Sequence, residues 1–408
     1  MTHMRIGIDC RTILNPGLGE AAGVGYYTYL LVKHLLEIDK ENEYVLFFDS
    51  RMPTVDEFEQ ANAKVWRFPF SQYKKFLPFS YSHMLIAAMI LKNRLNVFHS
   101  PANVLPLSYP RTSVVTVHDL AIYKEPEWFP TRIFSTRLLV PQSLKKARHI
   151  IAVSESTKKD LREIFRVPSS KISVVYEAPF VAPVNVRDRN VDTLKKFRLQ
   201  QPYFLFLATI EPRKNLRMLV EAFARLRKDP AFSSYQLVIA GGKGYRSDEI
   251  LESIAMQKLG NAVRIVGYVT HNEKLDLIRK AFGFVFPSLY EGFGLPVLEA
   301  MQLGVPVITS NTSSLPEISG NAALLVDPTN VSALRSAMAR LATNEELRTT
   351  LIQRGKVQAT RFSWEEAARQ TLEVYLRAGA KRSKGTRQTK RNNGSEKQRV
   401  SSKGRKVS

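Results

Sequence analysis

The sequence predicts an α/β protein made of two doubly wound parallel-sheet domains that face each other across a cleft. Three observations carry this. Short apolar, β-branched runs alternate with helical patterns along most of the chain, which implies parallel strands covered on both faces. The alternation stops over a proline- and charge-rich stretch at 179–201 and then restarts. The length, 408 residues, suits two or three domains of about 100–200 residues each.

In the first half, residues 5–9 (RIGID) read as a buried first strand, and 23–38 place apolar residues at helical spacing. Further strands are expected at 44–49, 65–68, 97–99, 113–117 and 150–153. Helices are expected near 80–91 and 132–146. Ser154 is placed to cap a helix at 155–165, its hydroxyl accepting from the free amides of the first turn. In the second half the expected strands are 203–208, 236–240, 263–266, 283–287, 306–309 and 323–326. Helices are expected at 215–227, 331–342, 345–360 and 364–378. The domain reading is 1–180 for the N-terminal domain, 181–201 for the connection and 202–361 for the C-terminal domain. A closing helix follows at 362–379 and a basic tail at 380–408. Ligands of open parallel sheets bind beyond the carboxyl ends of the strands, so the two facing edges predict one shared site.

Composition narrows the function classes. A charged fraction of 24% beside 44% hydrophobic residues is that of a globular protein. The single cysteine, Cys10, excludes an internal disulfide and a cysteine zinc cluster. The longest apolar run, 84–91, is far shorter than the ~20 residues of a spanning helix. The N-terminus lacks the apolar core of a signal peptide, so the expected compartment is the cytoplasm.

The net charge is +23, but residues 380–408 hold 11 Lys/Arg against one acidic residue. That tail has almost no apolar residues and is expected to be disordered. A nucleic-acid-binding protein would carry its charge as a stripe on a folded surface, so no specific nucleic-acid partner is expected. The segment 66–94 mixes aromatic residues with Arg67, Lys74, Lys75, Lys92 and Arg94. It supports two readings equally: a face lying at an anionic membrane surface, or a core helix preceded by a basic loop.

The most informative stretch is 286–301, FPSLYEGFGLPVLEAM. A strand ends at Pro287, a loop carries Gly292 and Gly294, and Pro296 suits the first turn of a helix. Glycines there let the backbone approach a ligand closely, and the free amides of a helix start favour an anion such as phosphate. Glu291 lies on the loop and Glu299 in the helix, so they can address opposite ends of one ligand. Two glutamates at this spacing are usually solvated surface charge; the whole string is far more specific. Arg213-Lys214 follows a buried strand, where fixed cations can stabilise a departing anion. His118-Asp119 likewise ends a strong strand at a carboxyl edge. No carboxylate or histidine cluster has metal-ligand spacing. The Gly17–Gly25 spacing fails the dinucleotide fingerprint, which disfavours a dehydrogenase.

These residues resemble the E-x7-E signature of retaining glycosyltransferase family 4, and in particular its bacterial mannosyltransferases. The resemblance extends over nearly all of 4–378. It includes Gly23-Val24-Gly25, Val117-His118-Asp119-Leu120, Glu211-Pro212-Arg213-Lys214-Asn215, Gly267-Tyr268-Val269 and Ser314-Leu315-Pro316-Glu317. It implies the GT-B fold, with acceptor bound by the N-terminal domain, nucleotide sugar by the C-terminal domain, and a last helix that crosses back. It implies that Glu291 contacts the donor sugar and Glu299 the ribose. The amides of Gly292, Phe293 and Gly294 would face the diphosphate, and Lys214 and Arg213 would neutralise it. His118 would meet the donor sugar or the reacting face. Ser288, Leu295, Val269 and Gly241 complete the implied donor site, while Gly23, Gly25 and Asp119 form the acceptor and phosphate loop. Tyr26 stands where many relatives have arginine, and Thr209 stands near the place of another family arginine.

The expected reaction is retaining, metal-independent hexosyl transfer, with GDP-mannose the favoured donor and no further cofactor. The expected acceptor is a lipid-linked glycan or polysaccharide precursor. The enzyme would be cytoplasmic, with peripheral contact at the inner face of the plasma membrane. The alternatives are another GT-B enzyme, such as a sugar-nucleotide epimerase, and the nucleic-acid-binding protein disfavoured above.

Overall fold

The computed structural model describes residues 3–13, 23–52, 54–68, 79–130, 134–179 and 192–380. The basic tail and most of the Gly17–Gly25 loop lie outside the described residues.

Two all-parallel sheets form, as the alternating pattern predicts. The first contains β1 (Arg5–Asp9), β2 (Glu43–Asp49), β3 (Ala63–Phe68), β4 (Val97–Ser100), β5 (Ser113–Val117), β6 (His149–Ala152) and β7 (Ile172–Val174). Its spatial order is β3-β2-β1-β4-β5-β6-β7. The second contains β8 (Tyr203–Leu207), β9 (Gln236–Ala240), β10 (Val263–Gly267), β11 (Gly283–Phe286), β12 (Val307–Ser310) and β13 (Ala323–Val326). Its order is β10-β9-β8-β11-β12-β13.

The helices of the first half are α1 (Val24–Ile38), α2 (Phe79–Lys92), the single turn α3 (Ala121–Lys124), α4 (Phe134–Lys146) and α5 (Glu155–Phe165). Those that follow are α6 (Thr193–Phe197), α7 (Leu216–Leu226), α8 (Ser247–Ala255), α9 (His271–Lys280), α10 (Leu295–Gln302), α11 (Leu315–Ser319), α12 (Val331–Thr343), α13 (Glu345–Ala359) and α14 (Trp364–Gly379). Ser154 caps α5 as expected, accepting from Thr157 N at 3.0 Å. The strand β7 and the helices α8 and α9 were not expected.

Strand alternation divides the N-terminal core into two layers. Tyr44, Leu46 and Phe48 of β2 enter the layer beneath α1. Val45 and Phe47 enter the opposite layer, with residues of α2, α4 and α5. The first layer is completed from the far end of the chain. Trp364, Ala367, Ala368, Val374, Tyr375 and Ala378 of α14 are buried there, against α1 and the strands β4–β6. The C-terminal half has one continuous core around its sheet.

The expected connection at 181–201 divides differently. Residues 192–201 carry α6, whose Leu194 and Phe197, with Leu199, pack on the C-terminal core. Asp276 of α9 fastens it, accepting from Thr193 N at 3.1 Å and Thr193 Oγ1 at 2.7 Å. This stretch therefore belongs to the second body, because its apolar residues are spaced to cover that sheet.

Candidate functional site

Each sheet adds strands first on one side and then on the other, reversing between β1 and β4 and again between β8 and β11. Loops leaving such neighbours diverge and open a crevice beyond the strand ends. In the second sheet the segment after β8 carries Glu211, Arg213 and Lys214, the last two on a 3₁₀ turn, Pro212–Lys214. The loop after β11 carries Ser288, Tyr290 and Glu291.

The topology thus joins groups far apart in sequence. Lys214 Nζ donates to Glu291 Oε1 at 2.5 Å, and Arg213 Nη1 donates to Glu291 Oε2 at 3.1 Å. Arg213 Nε donates to Glu211 Oε1 at 2.6 Å. Backbone ties hold the two loops in place. Leu289 N donates to Arg213 O at 2.8 Å. Asn215, at φ +58°, donates its side-chain amide to the carbonyls of Pro287 (3.1 Å) and Pro328 (2.7 Å). Asn215 stands at the residue before α7, outside the helix expected to include it, and its side chain ties loops together without a capping bond to the helix.

Lys214 and Glu291 are both buried, and burial opposes either charge. For Glu291 burial raises the pKa, but Lys214 and then Arg213 outweigh it, and the carboxyl stays below its usual range. For Lys214 burial dominates and Arg213 adds to it, so the ammonium lies below its usual value despite Glu291. Arg213 is raised: burial opposes its charge, but Glu291, Glu211 and Asp119 favour it. The cluster holds two cations whose partners are two carboxylates, in a place where an incoming anion can compete for them. Ser288 is buried beside it in the same loop.

Gly292 is where the two halves meet. A Cβ there would stand 1.8 Å from the His118 carbonyl oxygen, so no other residue permits this approach. Ser154 Oγ donates to the Gly292 carbonyl at 2.7 Å. Phe293 is buried, its ring packing edge-on against Phe362 and tilted over Tyr176. Gly294, at φ +118°, turns the chain into α10, which begins at Leu295 with Pro296 in its first turn.

Glu299 meets a separate cation. Lys274 Nζ, on α9, donates to Glu299 Oε1 at 2.5 Å. Val269 is half-buried one residue before the Thr270 cap of α9. Gly241 follows β9, its amide donating to Gly267 O at 2.8 Å, and a Cβ on it would stand 1.8 Å from Ala208 O. Across from this group is Tyr26 of the first half, whose phenol is raised by burial and by Tyr268 and Glu299. Gly23, at φ +48°, immediately precedes α1, and a Cβ on Gly25 would stand 2.6 Å from Thr12 O.

In the first half His118 follows β5, with Nδ1 2.9 Å from Glu177 Oε1 and Nε2 2.7 Å from Pro101 O. Its ring is therefore turned into its own domain, and what it brings to Gly292 is its carbonyl. Asp119 is half-buried and accepts from Ala121 N at 3.3 Å.

Further bonds join the halves around this point. Tyr290 OH donates to Asp160 Oδ2 at 2.7 Å and accepts from Leu120 N at 3.3 Å. Glu317 accepts from Glu155 N (2.8 Å), Ser156 N (3.2 Å) and Tyr176 OH (2.8 Å). A carboxylate at the first turn of α5 complements the positive end of its dipole.

Comparison with known proteins agrees with this architecture. Residues 21–178 match the model of Glycosyltransferase Family 4, and residues 191–358 match that of Glycosyl transferases group 1. O-antigen chain mannosyltransferase B of Escherichia coli is 31% identical over 369 residues, covering 86% of this chain and 95% of that protein. The chain is a family 4 glycosyltransferase. A further relative of this glycosyltransferase is O-antigen chain mannosyltransferase RfbU of Salmonella typhimurium, 28% identical over 66% of this chain and 72% of the relative.

Its GT-B fold is shared with solved structures of low identity. Sucrose-phosphate synthase of Thermosynechococcus elongatus superposes with a TM-score of 0.67 at 22% identity, over 92% of this chain and 99% of the other. HepE of Anabaena, in complex with UDP and glucose, superposes at 0.67 with 16% identity, over 92% of this chain and all of the other.

Sequence reasoning passed over four residues that the glycosyltransferase structure brings to the site: Glu177, Lys274, Tyr290 and Glu317. Tyr290 and Glu317 sit inside strings singled out as signatures, but their partners lie in the other half. Lys274 had a signal available, since Thr270 and Glu273 form a capping box that marks the start of its helix.

Proposed function

We propose that this glycosyltransferase moves a mannosyl residue from GDP-mannose, with retention of anomeric configuration, to a hydroxyl of a lipid-linked glycan or polysaccharide precursor. The observation that carries this reading is the cluster of half-buried Arg213 with buried Lys214 and Glu291 at the reversal point of the second sheet. A diphosphate seated on the amides of Gly292, Phe293 and Gly294 draws Arg213 and Lys214 away from Glu291. That carboxylate then turns to the hydroxyls of the sugar, while Glu299 holds the ribose.

As the bond from the anomeric carbon to the diphosphate oxygen breaks, the two preset cations stabilise the charge that develops on the leaving oxygen. In this reading they meet that charge without a metal ion. The acceptor oxygen forms its bond on the same face. His118 has both nitrogens engaged and Glu291 is a weakened base, so the acceptor's proton passes to the departing diphosphate. The choice of mannose is supported by the relatives, which are named for mannosyl transfer.

A thermal-shift panel of GDP, UDP, ADP and dTDP tests the donor, because a ligand that binds only the folded state raises Tm. GDP is expected to give the largest shift; a larger one from UDP overturns the choice of base. The anomeric proton coupling of the product, read by NMR, tests retention.

Peripheral contact with an anionic membrane is part of the proposal. Among the described residues no helix is long and apolar enough to cross a membrane. Trp66 on edge strand β3 is 42% exposed and Met84 on α2 is 58% exposed, with Arg67 exposed beside Trp66. Residues 69–78, which hold Lys74 and Lys75, lie outside the described residues. The expected result is salt-sensitive cosedimentation with phosphatidylglycerol vesicles; equal binding to phosphatidylcholine vesicles counts against it.

A further inference from the structure

At the centre of the site, consecutive residues divide their bonds between the two halves. Glu291 is held by the second half. Its carboxylate pairs with Lys214 and Arg213, its amide donates to Ser313 Oγ at 3.0 Å, and its carbonyl accepts from Ser314 Oγ at 3.1 Å. Its neighbours reach the other way. The Gly292 carbonyl accepts from Ser154 Oγ at 2.7 Å and from Thr157 Oγ1 at 3.3 Å. The Tyr290 hydroxyl donates to Asp160 Oδ2 at 2.7 Å and accepts from Leu120 N at 3.3 Å.

The tyrosine engages three elements of the first half at once. Asp160 is on α5, and Leu120 is on the loop that also carries His118 and Asp119. Lys124, at the end of α3, donates to Asp160 Oδ1 at 2.6 Å, with its ammonium 5.3 Å from the centre of the Tyr290 ring. Tyr290, Asp160 and Leu120 are buried. Burial, Asp160 and Asp119 all push the phenol up, so it keeps its proton and stays the donor. On the other side, Arg213 Nη1 donates to the Tyr290 carbonyl at 3.3 Å. The residue thus joins the cation of the donor cluster to the cleft edge of the first sheet. Without the hydroxyl, Asp160 Oδ2 and Leu120 N lose their partner, and buried polar groups left unpaired are costly.

We propose that Tyr290 is a positioning residue that sets the register of the two halves at the reacting centre: its hydroxyl seats the acceptor side of the cleft on the residue next to Glu291. This rests on the reading of the first half as the acceptor side and of Glu291 as the partner of the donor sugar. In that reading the donor and its departing diphosphate are met by groups of the second half, which do not need the hydroxyl. What the hydroxyl supplies is the alignment of the acceptor oxygen with the anomeric carbon, where a shift of about 1 Å can cost about 10²-fold. Water needs no such alignment. Its oxygen bonds to the anomeric carbon as the bond to the diphosphate oxygen breaks, and its proton passes to the diphosphate, giving free sugar.

The test is Tyr290→Phe, which keeps the ring and removes the hydroxyl. GDP-mannose is supplied with and without octyl mannoside as the probe acceptor, and two products are measured, mannosylated probe and free mannose. Transfer is expected to fall about tenfold or more. Free mannose formed without acceptor is expected to stay within about twofold of the native rate, and the thermal shift given by GDP to stay unchanged. A third reading needs no substrate. The amides of Glu155 and Ser156 are held across the seam by Glu317, and their hydrogen exchange is expected to quicken about fivefold or more as the register loosens.

Transfer within about threefold of native overturns the proposal. So does hydrolysis that falls in step with transfer, since Tyr290 then acts within the donor half or on the fold as a whole. Unchanged exchange at Glu155 and Ser156 overturns it as well. If Tyr290→Phe does not fold, Asp160→Ala removes the acceptor of the same hydroxyl and is read by the same measurements. A wrong donor or acceptor assignment appears separately, as absent transfer by the native enzyme with the exchange difference intact.

Discussion

In the C-terminal half, the loops after β8 and β11 meet through charge, with two cations in contact with Glu291 across 77 and 78 residues of sequence and one of them also with Glu211 nearby. In the N-terminal half, the loop after β5 presents a histidine whose ring is held by its own domain and whose carbonyl is the contact surface. The sheets are alike in being parallel and in reversing direction once. In the proposed reading, the difference divides the transfer reaction between the two edges. One edge carries exchangeable ion pairs that a ligand can take over, and the other carries a polar assembly already satisfied without one. Exchangeable pairs suit a substrate that arrives charged and leaves more so. A satisfied edge suits a surface that must stay in register while its partner changes.

The comparison breaks most sharply at the charged edge. Lys214→Ala and Glu291→Ala are each expected to lower kcat by about 10²–10³, with thermal melting still a single cooperative transition. Activity within tenfold of the native enzyme in either variant removes the cluster from the reaction. Glu299→Ala sharpens the division within that edge. Losing the charged hydrogen bond to the ribose that the proposal gives Glu299 is expected to raise donor KM about tenfold with kcat little changed; an unaltered KM removes the role.

Glu317→Ala tests the seam between the halves. It leaves Glu155 N, Ser156 N and Tyr176 OH without their acceptor, and urea unfolding is expected to show a loss of about 1–3 kcal/mol. Unchanged stability would mean that water replaces the carboxylate at no cost. The smallest effect is expected from deleting 381–408, which should leave transfer to a soluble acceptor unchanged; loss of that activity would make the tail part of the enzyme.

What the sequence discloses divides along the same line. The string 286–301 was legible because its parts are local: the end of a buried strand, two glycines, a proline in the first turn and a carboxylate on either side all lie within sixteen residues. The strands were legible because burial on both faces leaves continuous apolar runs. Glu177 was not, since its partner is a histidine 59 residues away, and β7 just before it is only three residues long. Glu317 reads as part of a signature, yet nothing near it reports that its donors sit as far as 162 residues upstream. Helix α9 was missed because half of HNEKLDLIRK is charged, and only Leu275, Leu277 and Ile278 provide its buried apolar face.

The crossing helix α14 also makes the two bodies unequal in time. The C-terminal body is continuous in sequence, from α6 through α13, and draws nearly all of its core from its own residues. The N-terminal body is interrupted. Its layer beneath α1 lacks Trp364, Tyr375 and their neighbours until the chain has passed through the whole second body. The contacts that complete it span more than three hundred residues, and such non-local closures are slow. The half that is made first is therefore the half that finishes folding last, and until α14 docks it carries an apolar groove open to water and to aggregation.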